Sequence, residues 1–272
     1  MGYSFGGRIM HFTKTYPTFH LDCDLDLKPG TITGLIGRNG SGKTTMFKLM
    51  LGLIKADDHQ IKPLDKKDVG IVWTNSTFSL WLTSIDIQNI LKTMYPKFDS
   101  NYFQSMIQRF NLDPKMTLKE YSTGMLSKLK IIIAISIQPK ILLLDEPTSG
   151  LDVIARNEIL DLLRDYMIEH ENASILISSH ISSDLESLCD EFYFLDKGTM
   201  LLYEQTDSLL ENYAILKTEE DKNIDFAYIL KRKNNHFLTN QKQFYAENYP
   251  NMVIENIHLD TLMEMMIQGE HI

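Results

Sequence analysis

A glycine-rich segment at residues 37–44 has the residue types needed to hold a chain of phosphates. It reads Gly-Arg-Asn-Gly-Ser-Gly-Lys-Thr and fits the pattern G-x-x-x-x-G-K-[ST]. Glycines let successive backbone N–H groups approach phosphate oxygens, and a helix beginning here adds the positive end of its dipole. Lys43 supplies a point charge to β and γ phosphates, and the Thr44 hydroxyl is suited to ligate Mg²⁺. The residues predicted to contact a nucleotide are Gly37, Asn39, Gly40, Ser41, Gly42, Lys43, Thr44 and Thr45.

Two adjacent carboxylates follow the apolar run at residues 141–144. Ligands of open α/β sheets collect at the carboxyl ends of the strands, so these acids are predicted to face the phosphates. Asp145 would hold Mg²⁺, directly or through water, and Glu146 would polarise an attacking water as general base. An acidic pair is also common as a simple solvated strand end, and the pair by itself does not choose between the two interpretations.

The elements around these motifs alternate between strand and helix patterns. Such alternation, with strands that are apolar throughout, predicts a parallel sheet covered on both faces. A hairpin is predicted at residues 191–204, with its turn at 196–198, and helices broken by prolines at 84–138. The other predicted strands are residues 31–36, 69–73, 141–144 and 174–178, and the other predicted helices are residues 44–54 and 153–169.

The composition of the chain limits which kinds of molecule it is expected to bind. The net charge of -9 argues against a nucleic-acid binder that relies on a basic face. The two cysteines form neither a disulfide framework nor a metal-ligand pattern. We find no apolar run approaching the roughly 20 residues that span a bilayer. Any membrane role is therefore expected to come through a partner chain.

Four further motifs resemble those of ATP-binding-cassette (ABC) ATPases. Residues 145–152, Asp-Glu-Pro-Thr-Ser-Gly-Leu-Asp, are similar to the joined second phosphate-binding motif and D-loop of that family. Residues 121–125, Tyr-Ser-Thr-Gly-Met, resemble its signature loop, L-S-G-G-Q. His180 ends a predicted strand where the family has its switch histidine. Tyr16 precedes the phosphate loop at the distance of the aromatic residue that stacks on adenine. In order and spacing these motifs cover roughly residues 10–205.

The resemblance implies a fold and a division of the chain. The fold is α/β: a P-loop ABC ATPase core with an antiparallel β subdomain and an inserted α-helical subdomain at about residues 76–138. The nucleotide-binding domain is expected to span residues 1–215, and residues 216–272 to form a small C-terminal α+β extension. Such an extension would stabilise a dimer or regulate access, and the sequence does not choose between these roles.

The resemblance also implies that two such domains pair head to tail around two Mg·ATP. Ser122 and the Gly124 backbone would then contact the γ-phosphate bound by the partner domain, and Asp152 would join the two sites. His180 would contact the γ-phosphate and hold the water together with Glu146.

Glu146, His180 and Lys43 are thus the predicted catalytic residues, and Tyr16 a predicted adenine contact. The alternative for His180 is a polar strand end, and for Tyr16 an exposed aromatic in an early loop.

Two motifs depart from the family pattern. The family has a metal-reaching glutamine after the strand at residues 70–72, and here Trp73, Thr74 and Asn75 follow instead. Asn75 is our candidate third metal ligand through its amide oxygen, although Thr74 aligns as well. In the signature loop, Thr123 replaces the first glycine, which would weaken contact with the γ-phosphate.

Within the family, the sequence resembles the separate ATPase subunits of bacterial exporters for peptide antibiotics, including bacitracin-type and phenol-soluble-modulin systems. The residues that carry this likeness are Gly124-Met125, 178–181 and 259–270. It implies a separate transmembrane permease, a second nucleotide-binding subunit, and a place on the cytoplasmic face of the membrane. The alternatives are a soluble non-transport ABC protein, disfavoured by the single cassette and acidic charge, and a regulatory ATP sensor.

The apolar and aromatic stretch at residues 77–83 is a candidate contact with a permease. Trp81 would line a groove that receives a cytoplasmic helix of that partner. Ordinary core packing of a helical subdomain is the alternative for this tryptophan, and the sequence favours neither.

Overall fold

Two sheets organise the chain, for which a computed structural model describes residues 8–58, 61–74, 78–218 and 224–270. Within those ranges the larger sheet has eight strands and the smaller has four. The larger comprises β1 (Arg8–Tyr16), β2 (Phe19–Leu27), β3 (Ile32–Ile36), β4 (Val69–Val72), β5 (Ile141–Asp145), β6 (Ser174–Ser179), β7 (Glu191–Asp196) and β8 (Thr199–Gln205). The smaller comprises β9 (Ala214–Lys217), β10 (Ile229–Lys233), β11 (His236–Thr239) and β12 (Val253–Asn256).

Helices cover both sheets. They are α1 (Lys43–Met50), α2 (Ser84–Met94), α3 (Ser100–Arg109), α4 (Thr123–Ser136), α5 (Val153–Glu169), α6 (Ser182–Leu188), α7 (Thr206–Asn212), α8 (Lys242–Asn248) and α9 (Leu259–Gln268). Among the described residues, none of these helices combines the length and apolar character needed to cross a membrane.

The larger sheet has the strand order β1-β2-β8-β7-β3-β6-β5-β4. Strands β3, β4, β5 and β6 run parallel to their neighbours, as their apolar sequences predicted. Every residue of β3 and β6 is buried, because helices cover both faces of the sheet. The pairing places Ser178 opposite both Leu35 and Asp145, so the carboxyl ends of β3, β5 and β6 meet at one edge.

The hairpin predicted at 191–204 is formed by β7 and β8, and its turn supports the glycine-rich segment. Lys197 and Gly198 have φ of 46° and 84°, the left-handed backbone of a tight two-residue turn. The Gly198 N–H donates to the Ser41 carbonyl at 2.9 Å. A Cβ atom at Gly198 would lie 1.9 Å from the His20 carbonyl oxygen, so a side chain cannot fit without a shift of backbone.

The predicted helical region at 84–138 consists of α2, α3 and α4, with the prolines between them. Thr83 and Asp86 form a capping box at α2, and Asp99 caps α3 through its side chain. The helix predicted at 44–54 ends at Met50 instead. Its early end has a local cause, because Gly52 takes a left-handed φ of 66° that a continuing helix does not allow.

The small sheet has the order β10-β11-β9-β12 and is antiparallel in each pair. Helix α9 packs against α6 of the larger unit, and Leu262 belongs to the same buried apolar cluster as Leu185. The Leu259 N–H also donates to the Glu186 carboxylate at 2.5 Å. The sequence patterns at residues 226–238, 252–257 and 259–267 predict strands and a closing helix here, whereas α8 was not predicted. The boundary between residues 215 and 216 stays a prediction.

Candidate functional site

The glycine-rich segment joins the end of β3 to the start of α1, as the motif requires. Gly42 precedes α1 with a φ of 118°, a conformation that other residues rarely adopt. A Cβ atom at this position would also lie 2.9 Å from Cζ of Phe19. Glycine at this position therefore lets the loop turn into the helix, with the first N–H groups of α1 directed into the loop.

Lys43 lies under this loop with its side chain buried. Its ammonium donates to the Gly37 carbonyl at 2.6 Å and to the Arg38 carbonyl at 3.4 Å. Burial lowers the pKa of Lys43 below its usual range, while the charges of Glu146 and Asp145 act in the opposite direction. The lysine thus provides a desolvated cation whose counter-charges lie across the site.

Asp145 is buried and held by hydroxyl groups from two other elements. Ser178 Oγ donates to Asp145 Oδ1 at 2.8 Å, and Thr44 Oγ1 donates to Oδ2 at 3.3 Å. Thr74 Oγ1 donates to the Asp145 carbonyl at 2.8 Å. The neighbouring Thr44 hydroxyl and Asp145 carboxylate are the hard oxygen donors that Mg²⁺ prefers, so the residues present fit that ion. Asn75, the third predicted ligand, lies outside the described residues.

Glu146 and His180 form a close pair at the carboxyl ends of β5 and β6. His180 Nδ1 lies 2.5 Å from Glu146 Oε2, and the His180 backbone N–H donates to the same oxygen at 3.2 Å. Glu146 has a φ of 53°, a conformation that costs about 1–3 kcal/mol in a residue with a side chain. The Glu146 N–H contacts the carbonyl and hydroxyl oxygens of Ser178, at 3.1 and 3.2 Å, which holds the backbone there.

One cavity of about 770 Å³ brings most of the predicted residues together. It is lined by Tyr16, Phe19, Asn39, Gly40, Ser41, Gly42, Lys43, Thr44, Thr45, Lys48, Leu53, Trp73, Thr74, Asp145, Glu146, Ser149 and His180. Gly37 does not line it and contributes its carbonyl to Lys43 instead. His180 lines this cavity together with Glu146, and its catalytic role stays a prediction.

The aromatic wall of the cavity was only partly predicted. Tyr16 is 41% exposed, and its ring centroid lies 6.4 Å from that of Phe19. Phe19, Lys48, Leu53 and Trp73 were not predicted as site residues. Phe19 had one available signal, since it lies three positions after Tyr16 across the turn between β1 and β2.

Three predicted nucleotide contacts lie elsewhere. Ser122, Gly124 and Asp152 are not among the residues that line the cavity. Ser122 Oγ accepts from the Met125 N–H at 3.2 Å at the start of α4, and Asp152 accepts from the Ala155 N–H at 2.8 Å at the start of α5. This placement is compatible with contact to a nucleotide held by another domain, which stays a prediction.

Comparison with known proteins gives a consistent result. The family model described as ABC transporter matches residues 21–149. The ABC transporter ATP-binding protein YtrB of Bacillus subtilis (strain 168) is 32% identical to this chain, and the match covers 84% of the chain and 80% of YtrB. The lantibiotic transport ATP-binding protein SrtF of Streptococcus pyogenes is 29% identical, over 74% of this chain and 91% of SrtF.

The fold is also similar to solved structures. The structure of an ATP-binding subunit of an ABC transporter superposes with a TM-score of 0.64 at 21% identity. The superposition covers 74% of this chain and 90% of the other. At this identity the likeness concerns the fold alone, and it confirms the architecture predicted from the sequence.

Proposed function

Since the chain belongs to the family of ABC transporter ATP-binding proteins, we propose that it hydrolyses Mg·ATP as one of a pair of subunits and drives export by a separate permease. The ATPase activity, coupled to transport, is that of its family. The assignment of the catalytic site rests on one observation. Glu146 and His180, 2.5 Å apart, share a cavity with Lys43 of the phosphate loop.

The proposed chemistry follows from these positions. Lys43 and the N–H groups of the loop bind the β and γ phosphates. Glu146 accepts a proton from the water that attacks the γ-phosphorus, the bond to the β–γ bridging oxygen breaks, and ADP leaves with that oxygen. His180 orients the Glu146 carboxylate and contacts the γ-phosphate. Thr44 and Asp145 would hold Mg²⁺, which when bound offsets the negative charge that develops on the phosphates.

Pairing of two subunits is supported by the surface around the starts of α4 and α5. Ser122 and Asp152 are exposed there, and neither lines the cavity of its own chain. Val153 and Ile154 follow with exposures of 65% and 75%. Adjacent exposed apolar side chains often mark a protein interface. A head-to-tail pair would cover them and bring Ser122 and the Gly124 backbone to the ATP of the other subunit.

A permease contact is supported by the surface before α2. Trp81 is 73% exposed, which argues against the core packing that the sequence left open. The Lys119 ammonium lies 4.9 Å from the centroid of its ring, and Leu80 and Ile85 are also exposed. We propose that this surface receives a cytoplasmic helix of the permease, and that the chain lies at the cytoplasmic face of the membrane through it.

The proposed cargo is an amphipathic or antimicrobial peptide. SrtF is named for lantibiotic transport, and the match covers 91% of that protein. A nucleotide-binding subunit contacts nucleotide and permease rather than cargo, so the peptide class is inferred from this likeness and not from the cavity.

The test of the catalytic assignment is Glu146→Gln in the full chain. Glutamine keeps the shape of the side chain but cannot act as the base, so ATP turnover should be lost and the protein should be trapped as a dimer in the presence of ATP. Size exclusion with light scattering measures the dimer. Glu211→Gln, an exposed glutamate on α7, is the control and should behave as the parent. Parental turnover in the Glu146→Gln protein would overturn the role of Glu146 as base, whereas a parent that binds ATP without turnover would favour a regulatory ATP sensor.

The test of the exporter assignment is capture of partners by tagged Glu146→Gln protein from detergent-solubilised membranes of the host, with ATP, followed by mass spectrometry. Trp81→Ala should reduce recovery of a multi-span permease without changing ATP turnover of the chain alone. Ile168→Ala, on an equally exposed apolar residue of α5, serves as control. Recovery of ribosomes or only soluble proteins would contradict the transport role.

A further inference from the structure

A buried ion pair connects the helix that follows Asp152 with the helix that follows His180. Arg156 on α5 places Nη1 at 3.5 Å from Oδ1 of Asp184 on α6. The side chains of Asp184 and Arg156 are 3% and 22% exposed. Arg156 Nη2 also lies 3.5 Å from the Leu151 carbonyl, at the edge of hydrogen-bond distance. A single arginine thus contacts both the segment before α5 and the helix after His180.

Together with the contact between Glu146 and His180, these contacts form a closed loop of interactions. The segment held by Arg156 begins at Glu146, because the Ser149 N–H donates to the Glu146 carbonyl at 3.2 Å and Leu151 follows two residues later. The helix that carries Asp184 begins two residues after His180. His180 and Glu146 then meet at 2.5 Å. The ion pair therefore links the segment that begins at Glu146 to the helix that follows His180. The distance between these two segments decides whether the Glu146–His180 contact forms.

The pair is poorly explained by stability alone. Among the described residues, Arg156 Nε and Asp184 Oδ2 have no hydrogen-bond partner. Removing charges from water can cost more than a contact of 3.5 Å returns, so largely buried pairs of this kind are weak sources of stability. What a buried pair does supply is a defined position for the elements that carry it.

We propose that Arg156 and Asp184 are positioning residues for ATP hydrolysis, which set the distance between Glu146 and His180. The inference rests on the roles of those two residues in the proposed function. Neither Arg156 nor Asp184 lines the nucleotide cavity, so their effect is on the geometry of the pair and not on ATP affinity. The same connection lets the segment at Leu151–Asp152, which the proposed dimer would contact, influence the position of His180.

The experiment measures ATP turnover of the full chain per folded molecule for Arg156→Met, Asp184→Asn and the double variant. A single change leaves one buried charge without its partner, which can impair folding. The double variant removes both charges together, so it still tests the proposal if a single variant does not fold. Arg164→Met is the matched control. Arg164 also lies on α5 and bonds to α6, at the Ser187 carbonyl 2.9 Å away, but at the end far from His180.

Each variant is also made in a His180→Ala background. A displacement of the pair should lower kcat by roughly 10- to 100-fold with the KM for ATP within about twofold of the parent. In the His180→Ala background the same changes should cause no further loss, because the contact they position is already gone. Arg164→Met should leave kcat unchanged in both backgrounds.

Four results would overturn the proposal. An equal loss in both backgrounds, or an equal loss for Arg164→Met, would mean that the pair only maintains the packing of α5 on α6. A raised KM with unchanged kcat would move the effect to ATP binding. If His180→Ala alone keeps the parental turnover, the proposed role of His180 fails and this inference fails with it.

Discussion

The starts of α1, α4 and α5 show two ways in which this chain treats a helix N-terminus. Helix α1 follows Gly42, which has no side chain to cap its first turn. Helices α4 and α5 follow Ser122 and Asp152, whose side chains accept from the Met125 and Ala155 N–H groups. The first-turn donors of α1 are thus left for an external anion, whereas a side-chain cap already binds one N–H in each of α4 and α5. We therefore expect α1 to bind the phosphates of the ATP in its own cavity, and the proposed role of α4 and α5 requires a second chain.

The largest expected effect is on the cavity, with Lys43→Met. Loss of the only phosphate-binding ammonium of the predicted set should reduce ATP turnover by roughly 1000-fold, as removal of a preorganised charge does elsewhere. The fold should not weaken, because burial lowers the pKa of Lys43 and methionine needs no hydration. The measurement is turnover together with the rise in Tm on adding Mg·ATP. A retained ATP-dependent rise in Tm would contradict the role of Lys43 in binding.

The next prediction compares two glycines, Gly198 in the turn that supports the cavity and Gly150 in the segment before α5. Gly198 and Gly150 both have left-handed φ, 84° and 74°. A Cβ at Gly198 would clash with the His20 carbonyl, whereas a Cβ at Gly150 would enter open space among the described residues. We expect Gly198→Ala to lower the free energy of unfolding by about 3 kcal/mol and to raise the KM for ATP, since the turn holds Ser41.

Gly150→Ala is the matched control, and we expect it to cost about 1 kcal/mol from its backbone conformation alone. Urea denaturation and steady-state kinetics measure both. Equal losses of stability for the two variants would show that contact with the His20 carbonyl is relieved at little cost, and would remove the hairpin as a support of the cavity.

The sharpest test of pairing is Ser122→Ala. Loss of the cap should cost about 1 kcal/mol of stability. Turnover should fall because the γ-phosphate of the other subunit loses a contact. Mixing Ser122→Ala and Lys43→Met proteins should then restore turnover to about a quarter of the parental value, because half of randomly formed twofold dimers are mixed and each contains one intact site.

Absence of any recovery on mixing, with mixed dimers demonstrated, would contradict contact in trans. Full activity of Ser122→Ala alone would do the same, and would leave the α4–α5 surface without a part in hydrolysis.

Most residues of the predicted phosphate site line one cavity, and this grouping could be predicted because the motifs are local in sequence. Residues 37–44 and the pair Asp145-Glu146 are contiguous, and each required residue type is visible at a fixed spacing. The parallel sheet was predicted from apolar runs that alternate with helix patterns, and the hairpin at 191–204 from its turn. Helix α8 was missed, because it is one of the shorter helices at 7 residues and lacks a side-chain cap that would mark its start.

Contacts between residues far apart in the chain were harder to predict from the sequence. Ser178 was predicted only as part of a strand end, yet its hydroxyl fixes both Asp145 and the Glu146 backbone. The replacement of the family's glutamine by Trp73 and Thr74 left a metal ligand uncertain, and Thr74 is found bonded to the Asp145 carbonyl. The role of Asn75 stays a prediction.

By itself the sequence determined that this chain has a phosphate loop, an acidic strand end and the fold that presents them, because local residue types dictate hydrogen-bonding capacity and periodicity. Only the tertiary structure decided that His180 lies 2.5 Å from Glu146, that Phe19 and Trp73 line the cavity, and that Ser122 and Asp152 do not line it. Those facts depend on the register of parallel strands and the packing of helices, which join residues far apart in the chain.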